Sequence, residues 1–407
     1  MSKECAGGGS ARYARKAERV LAAASEILNR KGVKGMTLAD VAEAVGINPS
    51  GITYYFRRKE DLAAACMLDA TQRFRDMIAD AAGAADPPAR ISRFLRLFLE
   101  LQFRIRAGET PALAGFRDVH AFGPPHDEAV NAGFVAMFRE LRGLLLGPGP
   151  APERRTLNAR ANLLLEQVLW SVAWLPLYDA EDLPRLHDRM FDLAAHGLAR
   201  PGAAWAPIDL AATALADGAA GPGDNFLAAA TRLINDQGHS GASVEKIAAS
   251  LNLTKGAFYH HHEAKDELIQ ACYGRSCEVM RLVQHEALRV AATQWDGLCA
   301  GLATLIAYQL SEAGPLLRSD VVHLVPEPIR AGMLAPWNRV FHRFAGMVAD
   351  GIAEGSVRAV DPFLAARMLH AAINSVTALP RLAPRITAGD AVALYAQPAL
   401  FGLFVGE

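Results

Sequence analysis

Residues 37–62 read TLADVAEAVGINPSGITYYFRRKEDL, and this stretch decides the fold. Thr37 and Asp40 have the spacing of a capping box, which predicts that a short helix begins at Leu38. Gly46 permits the left-handed backbone that ends such a helix. The centre of the stretch is therefore expected to hold a short helix followed by a tight turn.

A second helix is expected directly after that turn. The Asn48 side chain should cap it, and Pro49 stands at its first position, where a missing N–H is tolerated. Between Pro49 and Tyr55 the side chains near the helix start are small or carry hydroxyls. Such a helix can approach DNA closely and form hydrogen bonds with phosphates or base edges. Ile52 and Phe56 are expected to anchor it in the core.

The same arrangement occurs a second time in the chain. Residues 243–268 read SVEKIAASLNLTKGAFYHHHEAKDEL and align without a gap with residues 37–62, at an offset of 206. Further on, residues 171–176 (SVAWLP) align with residues 375–380 (SVTALP) at an offset of 204. Because both ends of the unit repeat, the duplication covers the whole unit and not only its beginning. Pro- and Gly-rich residues 201–223 have the composition of a linker between the copies.

The bulk properties favour a soluble protein of the reducing cytosol. A net charge of −1 argues against a protein that coats nucleic acid over its whole surface. The five cysteines (Cys5, Cys66, Cys272, Cys277 and Cys299) form neither a CxxC pair nor a zinc-type ladder. We find neither an apolar leader at the N-terminus nor an uninterrupted run of about 18 apolar residues. A cytoplasmic protein without a membrane partner is expected.

Both copies of the repeated stretch resemble the helix-turn-helix of the tetracycline-repressor (TetR) family. In the first copy the matching positions are Thr37, Val41, Ala42, Val45, Gly46, Ile47, Asn48, Ser50, Ile52, Thr53, Tyr55, Phe56, Lys59 and Leu62. In the second copy they are Ser243, Ile247, Ala248, Leu251, Leu253, Thr254, Gly256, Phe258, Tyr259, His261, Lys265 and Leu268. The copies depart from the family where Thr53 replaces a tyrosine, Ser50 a glycine, Asn252 the turn glycine and His262 a phenylalanine.

Apolar residues recur at helical spacing throughout the chain, so an all-α fold is predicted. The resemblance implies two TetR-like units, each a three-helix DNA-binding domain followed by a helical ligand-binding and dimerisation domain. The expected domains are helix-turn-helix 1 (1–62), regulatory domain 1 (63–200), the linker (201–223), helix-turn-helix 2 (224–268) and regulatory domain 2 (269–407). The resemblance also implies that ligand binding shifts a fourth helix, at 59–82 or 265–290.

The candidate site residues follow from this assignment. The residues expected to bind DNA are Thr37, Asn48, Pro49, Ser50, Gly51, Thr53, Tyr54, Tyr55, Lys59, Ser243, Thr254, Lys255, Gly256, Tyr259, His260 and Lys265. Aromatic residues and one histidine form a candidate ligand pocket, namely Phe116, His120, Phe134, Trp170, Trp174 and Trp337. Few fixed charges accompany them, so an apolar or aromatic effector is expected. Such aromatics are also common in ordinary cores.

We expect no enzyme activity, cofactor or metal site. The sequence contains no arrangement of nucleophile and base, no phosphate-binding loop and no ladder of metal ligands. The run of residues 260–263, His-His-His-Glu, invites a metal assignment. Adjacent residues on a helix point in different directions, however, whereas helical zinc sites use a spacing such as HExxH. The end of a recognition helix explains this run better.

The two copies differ in charge. Residues 1–62 contain 11 lysines and arginines against 7 acidic residues, whereas residues 207–268 contain 4 against 8. Phosphate neutralisation supplies most nonspecific DNA affinity, so the first copy is expected to be the principal reader. The expected function is a ligand-responsive, nucleoid-associated repressor of transcription that binds double-stranded operator DNA. The alternative is a protein-interaction adaptor whose acidic second module no longer binds DNA.

The two units are expected to pair within one chain. The last two long helices of TetR-like subunits usually pack as a four-helix bundle, and four segments resemble them: 157–176, 183–199, 362–379 and 388–405. An intramolecular pseudo-dimer of this kind would read an asymmetric operator, because its two readers differ. A homodimer of the fused chain is the other arrangement to consider.

Overall fold

The computed structural model describes residues 7–116, 119, 121–210, 222–241, 244–250, 265–318, 321, 325, 327–379 and 386–405. The helices of the first half are α1 (Gly7–Gly35), α2 (Leu38–Val45), α3 (Pro49–Thr53), α4 (Lys59–Ala82), α5 (Pro87–Arg106), α6 (His126–Gly143), α7 (Arg154–Ser171) and α8 (Leu183–His196). The predicted all-α class is confirmed, and the one β-type pairing among these residues is an isolated bridge between Ala199 and Val357.

The second half repeats this order of helices where it is described. Its helices are α9 (Pro222–Gly241), α10 (Val244–Ser250), α11 (Lys265–Val290), α12 (Gln294–Gln309), α13 (Glu327–Ala353), α14 (Pro362–Ser375) and α15, which joins Ala388–Ala391, a π-helical turn at Val392–Ala396 and Gln397–Phe401. None of the described helices combines the length and the apolar character needed to cross a lipid bilayer.

Several helix boundaries are set by local capping that the sequence makes visible. Before α5, the Asp86 side chain accepts a hydrogen bond from the backbone N–H of Ala89 at 2.8 Å, and Pro87 follows it. Before α14, Asp361 plays the same part, and Pro362 follows. Acidic caps stabilise these helix starts by satisfying otherwise unpaired N–H groups.

Other boundaries differ from the predicted ones. The bundle helix expected at 157–176 ends at Ser171, whose hydroxyl donates to the carbonyl oxygen of Val168 at 2.7 Å. Its counterpart expected at 362–379 ends at Ser375, which makes the same 2.7 Å bond to Ala372. Short 3-10 turns follow at Leu175–Leu177 and Val376–Ala378. A serine that bonds back to its own helix competes with the regular backbone ladder, which explains why both helices stop early.

The duplication is also visible in equivalent hydrogen bonds. The Cys66 thiol donates to the carbonyl oxygen of Leu21 at 3.7 Å, and the Cys272 thiol donates to that of Leu227 at 3.6 Å. Burial raises the pKa of both thiols to about 11. The two cysteines therefore stay protonated at neutral pH and tie the first helix of each unit to its fourth.

The two halves meet through α7 and α8 of the first half, which pack against α14 and α15 of the second. Asn162 lies at the centre of this contact with 4% of its surface exposed, and its amide donates to the carbonyl oxygen of Ser375 at 2.9 Å and to the Tyr395 hydroxyl at 3.2 Å. At the edge, the Arg189 guanidinium pairs with Asp361 at 2.6 Å. A buried amide with partners from both halves fixes their register, because a shift would leave polar groups unpaired.

At one end of this contact the backbones of the two halves cross. The Leu198 N–H donates to the carbonyl oxygen of Leu400 at 2.7 Å, and the Leu403 N–H donates to that of Ala194 at 2.8 Å. Gly197 and Gly402 precede the two leucines and have positive φ angles of 63° and 98°. Each segment therefore donates a hydrogen bond to the other, as in an isologous dimer interface, although both segments belong to one chain.

Only glycine fits at these two crossing positions. A Cβ atom at Gly197 would lie 2.2 Å from the carbonyl oxygen of Leu400, and one at Gly402 would lie 2.1 Å from that of Ala195. Both distances are far inside van der Waals contact, and the neighbouring atoms are backbone. The sequence analysis missed this feature, which appears in the sequence only as a Gly-Leu pair at 197–198 and again at 402–403.

Replacing Gly197 or Gly402 with alanine is expected to lower the free energy of unfolding by at least about 2 kcal/mol, because the crossing must open and the positive φ is strained. Urea denaturation followed by circular dichroism measures this. Gly346→Ala is the matched control: it lies within α13 with no atom within 4 Å of the added Cβ. It should raise the stability by about 0.5 kcal/mol. Unchanged stability of both crossing variants would contradict the expectation.

Candidate nucleic-acid interface and ligand cavity

Both ends of α2 have the predicted geometry. The Thr37 hydroxyl accepts from the backbone N–H of Asp40 and the Asp40 carboxylate accepts from that of Thr37, each at 3.1 Å. Hydrogen bonds from Lys31 and then Thr37 lower the pKa of the Asp40 carboxyl. Gly46 ends α2 in the left-handed region at φ 69°. These contacts fix the direction in which the chain enters α3.

The exposed surface of α3 is formed by the residues expected to contact DNA. Ile52 is fully buried, whereas Ser50 and Thr53 are exposed and Tyr54 has 75% of its surface exposed. The ring of Tyr55 lies edge-on to that of Tyr54, with 5.4 Å between the centroids. A rigid aromatic beside small hydroxyl side chains is a surface that can enter a groove and form hydrogen bonds there.

The predicted cap at the start of α3 is wrong in one respect. Asn48 is the N-cap residue by position, but its side chain makes no capping hydrogen bond. Pro49 at the first helical position has no N–H, so the start of α3 has one unpaired donor fewer even without a cap. The helix is also shorter than predicted, since it ends at Thr53, whose hydroxyl donates to the carbonyl oxygen of Ser50 at 2.8 Å. The amide of Asn48 is thus not committed to capping the helix.

Two predicted DNA-binding residues are engaged within the protein. The Thr37 hydroxyl belongs to the capping box described above. The Lys59 ammonium donates to the carbonyl oxygen of Lys34 at 2.8 Å and to that of Val33 at 3.4 Å, at the C-terminal end of α1. A cation at this position satisfies carbonyl groups that have no partner within the helix. Lys59 therefore joins α4 to α1, so its first role is structural.

Basic residues that sequence reasoning did not select lie next to this surface. Arg57 and Arg58 are exposed and follow α3 directly. The backbone N–H of Arg58 donates to Asp61 at 2.9 Å, and its guanidinium lies 3.6 Å from the Glu60 carboxylate. Arg57 is therefore the better candidate for a phosphate contact. In the sequence, this candidate could have been found from the pair of arginines that directly follows the recognition helix.

The second module is described only in part. Ile247 and Ala248 are buried on α10, just as the equivalent residues Val41 and Ala42 are buried on α2. Of Lys265, the structure describes the backbone, which begins α11. The other second-copy residues expected to bind DNA lie outside the described residues, namely Ser243, Thr254, Lys255, Gly256, Tyr259 and His260.

A cavity of about 460 Å³ lies in the regulatory part of the first unit. Two of the predicted pocket residues, Phe116 and Trp170, line it. Its wall is mainly apolar, and the complete lining is Asn29, Phe74, Phe98, Gln102, Ile105, Ala112, Leu113, Ala114, Gly115, Phe116, Glu166, Leu169, Trp170, Val172, Ala173, Pro176, Arg318 and Asn374. A volume of this size and an apolar wall with few polar groups are typical of small-molecule sites.

The other predicted pocket residues lie elsewhere. The Phe134 ring packs behind the cavity against Phe116, with 5.3 Å between centroids. Trp174 is buried beside Tyr178 and does not line the cavity. Trp337 does not line the cavity either. It belongs to an aromatic cluster of the second half, where 4.4 Å separates its ring centroid from that of His370. His120 lies outside the described residues.

The polar part of the cavity wall comes from both halves of the chain. The Arg318 guanidinium of the second half lies 3.9 Å from the Glu166 carboxylate of α7. Asn374 of α14 also lines the cavity, beside Gln102 of α5 and Asn29 of α1. Sequence reasoning missed these residues because it selected aromatic side chains and one histidine. Single polar residues in a helical region do not reveal that two units share a wall.

Two short helices joined by a left-handed glycine turn, packed on a longer first helix, define a helix-turn-helix module. Comparison with known families agrees with this assignment. The model of the N-terminal domain of bacterial regulatory proteins of the tetR family matches residues 20–66 and again residues 226–272. The chain is therefore a tandem repeat of TetR-like units.

Individual relatives match parts of the chain. A stretch of 57 residues is 35% identical to the Transposon Tn10 TetC protein of Escherichia coli, covering 12% of this chain and 29% of that protein. Among solved structures, apo AibR is 22% identical (TM-score 0.36; 44% of this chain, 97% of that chain). FadR from Bacillus subtilis in complex with stearoyl-CoA is 16% identical (TM-score 0.34; 45% of this chain, 98% of that chain). The chain thus spans less than a third of the length of the curated relative.

The internal role of Lys59 predicts a loss of stability on its substitution. Lys59→Met is expected to lower the free energy of unfolding by about 1 kcal/mol, because two carbonyl groups at the end of α1 lose a charged donor. Arg57→Met is the matched control and should stay within about 0.5 kcal/mol of the original protein. Thermal unfolding of both variants measures the difference. Equal effects of the two substitutions would show that the contact of Lys59 with α1 contributes nothing.

Proposed function

We propose that the chain is a ligand-responsive transcription regulator, a repressor, that binds operator DNA through two non-identical helix-turn-helix modules in an intramolecular pseudo-dimer. The observation that carries the proposal is the exposed α3 surface of the first TetR-type module, together with the second match to the same family model within one chain. The working domain boundaries are those expected from the sequence, with units at 1–200 and 224–407. The protein would act in the cytoplasm, on the DNA of the nucleoid.

The reciprocal crossing of the two halves supports the pseudo-dimer. In a two-fold interface each contact occurs twice with the partners exchanged. The N–H of Leu198 bonds to Leu400, and that of Leu403 bonds to Ala194. The glycine before each of Leu198 and Leu403 likewise lies against a carbonyl group of the other half. The packing of α7 and α8 on α14 and α15 corresponds to the bundle through which two separate TetR-like subunits would pair.

The difference in charge supports two unequal readers. Residues 1–62 carry a net charge of +4 and residues 207–268 a net charge of −4. Affinity for the DNA backbone rises with the number of phosphates that lysines and arginines neutralise. The first module would therefore provide most of the affinity, and the second would contribute a weaker half-site of different sequence. A fused chain permits this inequality, whereas a homodimer carries two identical readers.

The cavity supports an apolar or aromatic effector. Phe74 lines the cavity from α4, and the same helix begins at Lys59, which is bonded to the end of α1. α4 thus connects the cavity wall with the reader. An effector that binds the two positions of α4 with different affinity would shift their populations and change the separation of the readers.

A second candidate function is a protein-interaction adaptor derived from such a regulator. The acidic balance of residues 207–268 favours it, because a net negative surface repels the phosphate backbone. In that case the second module would contact a protein, and the first module would not need an asymmetric operator.

Selection of bound DNA from a random pool tests the two functions against each other. The regulator should select an asymmetric site, with affinity that falls steeply as salt concentration rises. Tyr54→Ala should relax one half of the site and weaken binding about tenfold, while Lys255→Ala should relax the other half. A selected site that only Tyr54→Ala alters would leave the second module without a DNA half-site. If the selection yields no sequence at any salt concentration, the result favours the adaptor.

The intramolecular pairing has a direct consequence for mass in solution. Light scattering coupled to size-exclusion chromatography is expected to give the mass of one chain, 43.6 kDa, at all loading concentrations, because the pairing faces are already covered. Gly402→Ala serves as the comparison, since opening the crossing should expose those faces and add larger species. A dominant species of twice the chain mass in the unaltered protein would instead indicate pairing between chains.

A further inference from the structure

The same asparagine clamp occurs in both units. In the first unit the Asn29 side chain on α1 donates to the carbonyl oxygen of Leu113 at 2.7 Å and accepts from the N–H of Gly115 at 2.8 Å. In the second unit, Asn235 on α9 donates to Leu316 at 2.8 Å and accepts from the N–H of Arg318 at 3.0 Å. Each clamp joins the first helix of a DNA-binding module to a loop of the regulatory part.

Both clamps border the one cavity described above. In the first unit Asn29, Leu113 and Gly115 all line it directly. The second clamp reaches it through Arg318, whose backbone N–H is held by Asn235 while its side chain lines the cavity of the other unit. A molecule in this cavity therefore touches elements bonded to α1 and an element bonded to α9.

The polar groups of the cavity wall indicate the chemistry of the occupant. The 3.9 Å between Arg318 and Glu166 is longer than a hydrogen bond, so the two side chains form a loose ion pair. Gln102 is 7% exposed and lines the same cavity, so its amide is available to a molecule bound there. A bound group with acceptor oxygens could accept hydrogen bonds from the Gln102 amide.

We infer that Arg318 recognises the anionic end of an effector with an apolar body bound in this cavity, and that it links occupancy of the first unit to α9 of the second through Asn235. Guanidinium groups bind carboxylate-like anions through two parallel hydrogen bonds, which are stronger than bonds to neutral acceptors. The rings of Phe74, Phe98 and Trp170 would cover the apolar body. The inference rests on the proposed function, because it specifies the effector class and the coupling of that same site.

Two fluorescent probes that differ in one group test the recognition step. Anilinonaphthalene sulfonate carries an apolar aromatic body and an anionic group, and phenylnaphthylamine has the same body without the anion. Arg318→Ala is expected to weaken binding of the sulfonate probe about tenfold while binding of the neutral probe is unchanged. Glu166→Gln should strengthen binding of the sulfonate probe, because it removes a competing negative charge.

Two control variants locate the probes. Arg281→Ala removes a positive charge that is paired with Glu278 on the surface of α11, and it should change neither affinity. Ala173→Trp fills the exposed edge of the cavity wall and should weaken binding of both probes. Equal losses for both probes in Arg318→Ala, or no loss for either, would overturn the inference. Probe binding that Ala173→Trp does not alter would also overturn it, since the probes would then occupy another place.

Hydrogen exchange measures the coupling step in the intact protein. Binding of the sulfonate probe is expected to slow exchange in α1 and in α9, and Asn235→Ala should abolish the effect in α9 alone. Unchanged exchange in α9 of the unaltered protein would contradict the link. These outcomes are independent of DNA selection, so a failure here leaves the proposed DNA binding intact, and a failed selection leaves the ligand chemistry intact.

Discussion

The close crossing of two backbones at Gly197 and Gly402 is the constraint on which the arrangement of the halves depends. Each glycine lies where a Cβ atom would overlap a carbonyl group of the other half. The crossing lets α8 and α15 end against each other, and α7 and α14 then lie side by side with Asn162 bonded across them. A side chain at either position would separate the helices, and the wall that both halves give to the cavity would open.

A fused chain is free to differ at positions that a homodimer must keep identical. By the alignment of Ser171 with Ser375, Trp170 of the first unit corresponds to Asn374 of the second, and both line the same cavity. Glu166 likewise corresponds to His370, which is enclosed by aromatic rings, and burial lowers the pKa of that histidine to about 3. The cavity wall therefore has an acidic group at Glu166, whereas the corresponding position of the second unit, His370, is a buried neutral ring that does not line the cavity.

Sequence reasoning succeeded where the physical cause is local. The ends of α2 follow from Thr37 and Gly46, because a capping box and a left-handed glycine act within a few residues. Contacts between residues that are distant in sequence were not visible to it. It did not anticipate that Lys59 bonds to the end of α1 or that Arg318 lines a cavity of the other unit. Neither contact leaves a periodic pattern, since each depends on how helices far apart in the chain pack together.

The proposed intramolecular pairing would change how such a regulator responds to its effector. When two subunits are separate, occupancy of one site acts on both readers only in the fraction of protein that is dimeric, which depends on concentration. Within one chain the effective concentration of one half for the other is fixed by the covalent connection. A cavity bordered by both asparagine clamps would then shift both readers with a single ligand, at any cellular level of the protein. Because a ligand acts only through its different affinity for the two states, one binding event must supply the whole shift. A cavity lined by side chains of both halves, with an ion pair across their boundary, offers contacts that change when the halves move.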